Sequence, residues 1–219
     1  MSKIFTTLIF DFDGTLVHTA PDVITSINFA LKKIGFSTVS DIHIKQCIGP
    51  GKDDFLKAVL GEDFQEYKEN FLLLFREYYG EHCLDTTTFF TGINNVLPKC
   101  QNKNIAVASN KPRYFIEKIL KGLSALDWFD LIIGSEDVQQ AKPHPEMIDK
   151  VQNHTGSRKE EMLLIGDTPH DIIAGRRAGI STCAVSYGYG DLSSLEEQNP
   201  DFMIQDPLDL WGIIDNHHS

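Results

Sequence analysis

Short, continuously apolar runs alternate along the chain with stretches in which apolar residues recur every three or four positions. The short runs predict buried strands, and the periodic stretches predict helices. Strands that are apolar along their whole length and separated by helices are typical of a parallel sheet covered on both faces. The predicted strands span residues 5–10, 104–109, 131–134, 162–165, 182–185 and 202–204.

One region contains no strand pattern. Residues 40–83 show helical spacing without any alternating β-branched run, and Asp41 could cap a short helix there. The predicted helices cover residues 21–35, 53–60, 66–79, 92–101, 112–123, 145–154 and 169–178. We therefore predict a doubly wound α/β core made of residues 1–16 and 86–219, with an all-helical cap domain inserted at 17–85.

The charge balance narrows the range of partners. The 219 residues include 31 acidic and 20 basic side chains, which gives a formal net charge of −11. This balance disfavours nucleic acid and anionic membrane surfaces, because both bind an excess of Lys and Arg. A small anionic substrate stays open, because a metal ion or backbone amides can supply local positive potential. No apolar run approaches the roughly 20 residues of a membrane-spanning helix.

Cysteine spacing and the first residues favour a cytoplasmic protein. The N-terminus lacks the basic region and long apolar stretch of a signal peptide. The cysteines are widely spaced without a C-x-x-C pair, so we expect reduced, buried thiols and no zinc site. These cysteines are Cys47, Cys83, Cys100 and Cys183. The pair His217-His218 predicts a disordered tail.

Polar residues follow four of the predicted strands. Asp11 and Asp13 come directly after the first strand, where charge is costly unless it is paired or coordinates a metal. Ligands bind beyond the carboxyl ends of the strands in such sheets, so we expect the polar residues there to converge. After the other strands come Ser109, Asn110, Lys142, Asp167 and Asp171. Several carboxylates in one pocket would repel one another, and a hard divalent cation such as Mg²⁺ would relieve that repulsion.

Each of these residues also has a purely structural interpretation. The aspartates after the first strand could stabilise a turn, and Ser109 could cap the following helix. Lys142 could be a solvated surface lysine. Thr168 and Pro169 have the pattern of a helix start, which would place Asp171 at the third helical position near the helix dipole. Four such coincidences would have to fall on four strand ends, which favours a shared site.

Two further groups of residues predict structure and no ligand. An aromatic and apolar stripe is expected to pack inside the cap, and it comprises Phe71, Leu72, Phe75, Tyr78 and Tyr79. The run Gly188-Tyr189-Gly190 predicts a loop after a strand, since a lone G-x-G is not specific. Serine-hydrolase and P-loop motifs are absent from the sequence, which disfavours those two classes.

Taken together, the motifs resemble those of the haloacid dehalogenase superfamily, in its phosphatase branch with a helical cap inserted after the first motif. The resemblance rests on Asp-x-Asp-Gly-Thr at 11–15, Ser109, Lys142 and Gly-Asp-x-x-x-Asp at 166–171, and it covers nearly the whole chain. It implies that Asp11 is a nucleophile that forms an aspartyl-phosphate. It also implies that Asp13 protonates the leaving oxygen and then activates water.

The resemblance implies phosphate-binding roles for other residues. The turn at Gly14 and Thr15 is expected to face the phosphoryl group, and glycine permits that tight turn. Ser109 is expected to hydrogen-bond a phosphoryl oxygen, with help from the Asn110 amide. Lys142 would offset charge between the nucleophile and the phosphate.

The resemblance also implies a magnesium site. Asp11, Asp167 and the backbone carbonyl of Asp13 would hold Mg²⁺. Asp171 would hold either the metal's waters or Lys142.

Substrate is the least determined property. Asp13 favours the phosphatases and phosphomutases over the dehalogenase and phosphonatase branches. The whole pattern is most similar to phosphoglycolate phosphatases, so phosphoglycolate is the first expected substrate. Lys52, in a glycine-containing cap loop, is a candidate substrate ligand or an exposed helix-start lysine. His18-Thr19 departs from the acid and serine usual in that group, and the role of His18 stays open.

Three alternatives remain. One is a β-phosphoglucomutase-like phosphomutase, and another is a pyrophosphatase or nucleotidase of the same family. The third is a catalytically idle member that binds a phosphorylated ligand. The sequence does not indicate an oligomeric state.

Overall fold

A computed structural model describes residues 4–214 of the chain. The tail predicted at His217-His218 lies outside these residues. The described part contains eight strands: β1 (Thr7–Phe10), β2 (Val17–His18), β3 (Thr88–Phe89), β4 (Asn104–Ala108), β5 (Leu131–Ile133), β6 (Met162–Gly166), β7 (Ser181–Val185) and β8 (Phe202–Ile204).

Six of these strands form one parallel sheet in the order β5-β4-β1-β6-β7-β8. Residues within a strand alternate between the two sides of this sheet. In β1, Leu8 and Phe10 join one apolar cluster and Ile9 joins another. Both faces of the sheet are therefore buried, which explains the continuously apolar strands. The predicted α/β class is confirmed.

The α-helices of the described residues are α1 (Ala20–Lys33), α2 (Asp41–Cys47), α3 (Lys52–Leu60), α4 (Phe64–His82), α5 (Ile93–Val96), α6 (Arg113–Gly122), α7 (Glu146–Thr155), α8 (Pro169–Ala178), α9 (Leu192–Glu197) and α10 (Trp211–Ile214). Helices α1 to α4 are consecutive, and α1 packs against α4. Helix α6 packs against β5, α7 against β4 and α8 against β6 and β7.

Two local predictions need correction. Residues 92–101 do not form one helix, because α5 ends at Val96 and a 3₁₀ turn with Pro98 at its second position follows. Proline lacks the amide hydrogen that a longer helix would need. The cap of α2 is Ser40, whose hydroxyl accepts a hydrogen bond from the His43 amide at 3.4 Å, and Asp41 is the first helical residue.

A two-stranded sheet, β2 with β3, lies where the chain leaves and re-enters the core, and the apolar pattern did not predict it. Strands β2 and β3 pair antiparallel, with Val17 opposite Phe89 and His18 opposite Thr88. Asp22, in the first turn of α1, is 4% exposed. Its carboxylate accepts hydrogen bonds of 2.6–3.1 Å from the amides and hydroxyls of Thr86 and Thr87. These hydrogen bonds connect the start of α1 to the residues that directly precede β3.

All four cysteines are buried thiols, with no disulfide among them. Within residues 4–214, no helix has both the length and the apolar composition needed to span a membrane.

Candidate active site

The carboxyl ends of three adjacent strands carry the predicted site residues. Asp11 follows β1, Ser109 follows β4 and Asp167 follows β6. Lys142 lies in the loop that follows β5. Because parallel strands end at the same edge of the sheet, these four residues meet in one place.

Lys142 is buried between two carboxylates. Its Nζ lies 2.9 Å from Asp11 Oδ1 and 2.5 Å from Asp171 Oδ1, and 3% of the residue is exposed. Burial opposes its charge, but the carboxylates outweigh burial and raise the pKa of Lys142 above its ordinary value. Lys142 is therefore a fixed cation inside the site, and its interpretation as a surface lysine is wrong.

Asp11 is enclosed and partly neutralised by Lys142. Burial raises the pKa of Asp11 from 3.8 to about 6, against the lowering effect of the Lys142 ammonium. A hydrogen bond from Ser109, which is 2% exposed, also favours the ionised form. Lys142 and Ser109 therefore both favour the ionised form of Asp11, against the effect of burial.

Asp167 is held by two hydrogen bonds and by glycines packed around it. The Thr15 hydroxyl donates to Asp167 Oδ1 at 2.9 Å, and the Tyr189 amide donates to Oδ2 at 2.8 Å. A Cβ atom at Gly14, where φ is +85°, would lie 2.2 Å from Asp167 Oδ2. A Cβ atom at Gly188 would lie 2.2 Å from Asp167 Cβ. Side chains at either position would displace the carboxylate.

The structure thus gives Gly188 and Tyr189 a role that the sequence analysis missed. The loop after β7 reaches Asp167 because β7 is the neighbour of β6 in the sheet. The available signal was the position of a G-x-G run directly after a strand, at the edge where the other site residues lie.

Asp171 contacts both the start of α8 and Lys142. Its Oδ2 accepts hydrogen bonds from the Thr168 amide at 3.0 Å and the Thr168 hydroxyl at 2.7 Å, at the N-terminus of α8. Its Oδ1 pairs with Lys142. The residue is fully buried. The same carboxylate therefore caps the helix and positions the lysine.

Three of these carboxylates could hold a divalent cation. Asp11, Asp167 and Asp171 each offer an oxygen, and these oxygens lie within 4.8 Å of one another. Burial, with the charges of Asp11 and Asp171, raises the pKa of Asp167 to about 8. Three buried acids face one buried ammonium, and a hard cation with oxygen ligands would supply the missing positive charge. The donor set therefore fits Mg²⁺.

The side chain of Asp13 is not part of the cluster formed by Asp11, Asp167 and Asp171, and it contacts different residues. The Thr19 hydroxyl donates to Asp13 Oδ1 at 2.5 Å. Lys111 Nζ lies 3.1 Å from Asp13 Oδ1 and 3.2 Å from Oδ2. Lys111 was not among the site residues predicted from the sequence. It stands three residues after the end of β4, as Asp13 stands three residues after the end of β1, and that shared spacing could have indicated it.

Asn110 joins two loops through its side-chain amide. Its Nδ2 donates to the carbonyl oxygens of Gly49 at 2.9 Å and Lys142 at 3.0 Å. Its Oδ1 accepts from the Lys142 amide at 2.9 Å. The side chain of Asn110 thereby holds the loop after β5 and the loop before α3 together.

A cavity of about 150 Å³ opens above Asp11 and Asp13. Ser109, Asn110 and Lys111 line it from the sheet edge. From the helical segment the lining residues include Ile48, Lys52, Leu72, Phe75, Arg76 and Tyr79. Three members of the predicted aromatic stripe therefore line the cavity as well as packing in the cap, and Lys52 faces the same space.

His18, the departure noted in the sequence, lies in β2. Its Nδ1 is 3.0 Å from the Tyr189 hydroxyl, which also accepts a hydrogen bond from the Ala20 amide at 3.0 Å. Its ring contacts those of Phe90 and Tyr189. His18 therefore connects the start of the helical segment with the Gly188 loop.

Known proteins are similar to this chain over nearly its whole length. A phosphoglycolate phosphatase from Aquifex aeolicus is 34% identical over 212 residues, which is 96% of this chain and 97% of that protein. Pyrophosphatase PpaX from Bacillus cereus is 31% identical and covers 95% of each chain. The crystal structure of a predicted phosphoglycolate phosphatase from Haemophilus somnus superposes with a TM-score of 0.89 at 27% identity, over 95% of this chain and 97% of that one.

The sequence profile of haloacid dehalogenase-like hydrolases matches residues 8–185, which include every strand of the parallel sheet except β8. The match spans both the sheet edge with its buried carboxylates and the helices above it. The chain belongs to the haloacid dehalogenase-like hydrolase family.

Proposed function

We propose that the protein is a Mg²⁺-dependent phosphatase that hydrolyses a small phosphorylated compound through an aspartyl-phosphate on Asp11. One observation carries this proposal. A buried carboxylate, Asp11, stands beside the fixed Lys142 cation, at the floor of a cavity that a second carboxylate, Asp13, also lines.

In the first step, an oxygen of Asp11 attacks phosphorus and the bond from phosphorus to the ester oxygen breaks. Asp13 donates a proton to the departing oxygen. In the second step, Asp13 takes a proton from water as that water attacks phosphorus. Inorganic phosphate leaves, and the Asp11 carboxylate is restored.

The surrounding residues bind and orient the phosphoryl group. Ser109 and the turn at Gly14 and Thr15 bind its oxygens, and Lys142 offsets its charge. Asp11, Asp167 and the Asp13 carbonyl would hold Mg²⁺, with Asp171 beside them. When bound, the ion offsets the negative charge of the carboxylates and the phosphoryl oxygens.

Residues 17–85 are proposed to act as a cap over the core formed by 1–16 and 86–219. The Gly49 carbonyl contacts Asn110, and Lys52 lines the cavity, so the helical segment completes the site. Closure of such a cap excludes water from the nucleophile. The buried thiols fit a reducing cytoplasm.

Phosphoglycolate is the first proposed substrate. The cavity is smaller than the roughly 300–1,000 Å³ typical of small-molecule pockets, which favours a short substrate. The Aquifex aeolicus relative is named for this activity. Pyrophosphate is a second candidate, since the Bacillus cereus relative is a pyrophosphatase.

A phosphate-release assay tests the proposal. Purified protein with Mg²⁺ is presented with phosphoglycolate, pyrophosphate, sugar phosphates and nucleotides. We expect phosphate release from phosphoglycolate or pyrophosphate at the highest kcat/KM, and loss of release in EDTA that added Mg²⁺ reverses. Activity indifferent to chelation contradicts the metal assignment.

Analysis of the products and a binding measurement, added to this assay, separate the remaining alternatives. Conversion of β-glucose 1-phosphate to the 6-phosphate without phosphate release would identify a mutase. Absence of turnover on every substrate, with ligand binding preserved, would identify an idle member.

A further inference from the structure

The cavity wall contributed by residues 17–85 and the loop after β4 carries three cations among mostly apolar residues, although the chain as a whole has a net charge of −11. Lys52 begins α3, Arg76 lies in α4 and Lys111 follows β4. All three line the cavity that contains Asp11 and Asp13. Cations brought together from three separate segments in an acidic protein indicate a site for negative charge.

Lys111 is held in place before any substrate arrives. Its side chain is 7% exposed and pairs with Asp13 at 3.1 Å. Its ammonium also lies 4.7 Å from the centre of the Tyr79 ring and 5.9 Å from that of Phe115. Contacts with a carboxylate and two aromatic faces fix the position of an otherwise flexible lysine.

Tyr79 gives an independent indication that a ligand belongs here. The residue is 1% exposed and lines the cavity. Its hydroxyl is buried and, among the described residues, has no hydrogen-bond partner. A buried hydroxyl without a partner is costly, and a bound acceptor would remove that cost. Burial raises the pKa of Tyr79 well above its ordinary value, so the hydroxyl stays a donor.

One lysine is enough to pair with Asp13, and two further cations remain on the same wall. In the described part of the chain, neither Lys52 nor Arg76 has a carboxylate within ion-pair distance. The phosphoryl group itself is served by Lys142, which lies deeper, against Asp11. The wall near Lys111 therefore faces the leaving group of the substrate.

We propose that Lys111, Arg76 and the Tyr79 hydroxyl, together with Lys52, bind a second oxyanion group of a short phosphorylated substrate. The proposal rests on the phosphatase function above and names the substrate class. The substrate is a phosphate ester or anhydride whose leaving group carries its own carboxylate or phosphate. Asp13 acts at the leaving oxygen, and Lys111 contacts Asp13, so the second anion lies a few bonds from that oxygen. Lysine accepts either anion as a point charge, and arginine can bind either with two parallel hydrogen bonds.

The test compares substrates that differ in the second anion. Ethyl phosphate also has a two-carbon leaving group, but a methyl group stands where phosphoglycolate has its carboxylate. In pyrophosphate the leaving group is itself a phosphate. The measured quantity is the kcat/KM for each anionic substrate divided by the kcat/KM for ethyl phosphate. An effect of Lys111 exerted only through Asp13 should be similar for ethyl phosphate and phosphoglycolate, because both release an alkoxide that needs a proton, and it therefore cancels in the ratio for that pair.

Three variants are assayed: Lys111→Met, Arg76→Met and Tyr79→Phe. Each is expected to lower the ratio by about 10–100-fold, the usual range for a lost hydrogen bond to a charged group. Lys68→Met and Tyr78→Phe, in the same helix α4, serve as matched controls and should leave the ratio unchanged. A larger effect on phosphoglycolate than on pyrophosphate identifies a carboxylate as the second anion, and the reverse identifies a phosphate.

A uniform loss of activity on all three substrates, with an unchanged ratio, overturns the proposal. The proposal is also overturned if the wild-type enzyme has a higher kcat/KM for ethyl phosphate than for phosphoglycolate and pyrophosphate. The phosphatase function then stands. If the wild type hydrolyses none of them, the proposed function fails and calorimetric titration with phosphoglycolate and Mg²⁺ decides the subsite. Binding weakened by Tyr79→Phe supports it, and absent or unaffected binding contradicts it.

Discussion

The side-chain amide of Asn110 lies 2.9 Å from the carbonyl oxygen of Gly49, and this hydrogen bond ties the loop before α3 to the edge of the parallel sheet. The same amide makes two hydrogen bonds with the backbone of Lys142. One side chain therefore links the position of the helical segment with the position of the buried cation that pairs with Asp11.

We expect Asn110→Ala to lower kcat on phosphoglycolate about tenfold or more, because both the loop and Lys142 lose their anchor. The loss of three hydrogen bonds should also lower the free energy of unfolding by about 1–3 kcal/mol. Steady-state kinetics and urea denaturation measure the two effects. Asn153→Ala, at an exposed position in α7, is the control. Wild-type kcat in Asn110→Ala would show that the link is not needed for turnover.

Gly188→Ala should disturb Asp167, since a Cβ atom there would lie 2.2 Å from Asp167 Cβ. We expect weaker Mg²⁺ binding, seen as at least a tenfold higher Mg²⁺ concentration for half-maximal activity. Gly80→Ala is the matched control, because nothing lies within 4 Å of a Cβ atom at that position in α4. That control should stabilise the protein by about 0.5–1 kcal/mol. Equal Mg²⁺ requirements in the two variants would contradict the packing argument.

The sequence was sufficient for the sheet and for the residues at its carboxyl edge. Buried parallel strands are apolar along their whole length, so β1, β4 and β6 were recognisable, and the polar residue that directly follows each of them stood out. Once these strands are neighbours, Asp11, Ser109 and Asp167 must lie together. Their proximity follows from topology and needs no detail of packing.

The residues that the sequence analysis missed depend on contacts between distant segments. Lys111 and Tyr79 meet only because α4 lies over the loop after β4, and no periodicity encodes that placement. Gly188 reaches Asp167 because β7 is next to β6. Strands β2 and β3 have two residues each, which is too short for an alternating pattern to be recognised.

Stability without metal should fall as pH rises. The pKa of Asp11 is raised from 3.8 to about 6, and that of Asp167 from 3.8 to about 8. The folded state therefore binds more protons than the unfolded state between about pH 4 and 8, and ionisation of these groups opposes folding across that window. Mg²⁺ competes with those protons, so its stabilising effect should grow from pH 6 to pH 8.5.

Thermal unfolding with and without Mg²⁺ at pH 6, 7 and 8.5 measures this effect. We expect the increase in Tm caused by Mg²⁺ to be largest at pH 8.5. An increase that is the same at every pH, or largest at pH 6, would contradict the assignment of these carboxylates as ligands.

Asp22 should matter for stability and not for chemistry. Asp22→Asn replaces one acceptor oxygen with a donor that faces the amides and hydroxyls of Thr86 and Thr87. We expect a loss of about 2–4 kcal/mol in the free energy of unfolding, measured in urea. Asp53→Asn, an exposed acid in the first turn of α3, is the control and should change stability by less than about 0.5 kcal/mol. A similar small change for both variants would mean that the Asp22 contacts do not stabilise the fold.

The central claim is that Asp11 carries the phosphoryl group during turnover. The most direct measurement is acid quenching of the enzyme with Mg²⁺ and phosphoglycolate labelled in its phosphoryl group, followed by peptide mapping. We expect label on the peptide that contains Asp11, and neither label nor activity above about 10⁻³ of wild type in Asp11→Asn. Hydrolysis at a near wild-type rate in Asp11→Asn, or turnover with label on another residue, would contradict the account.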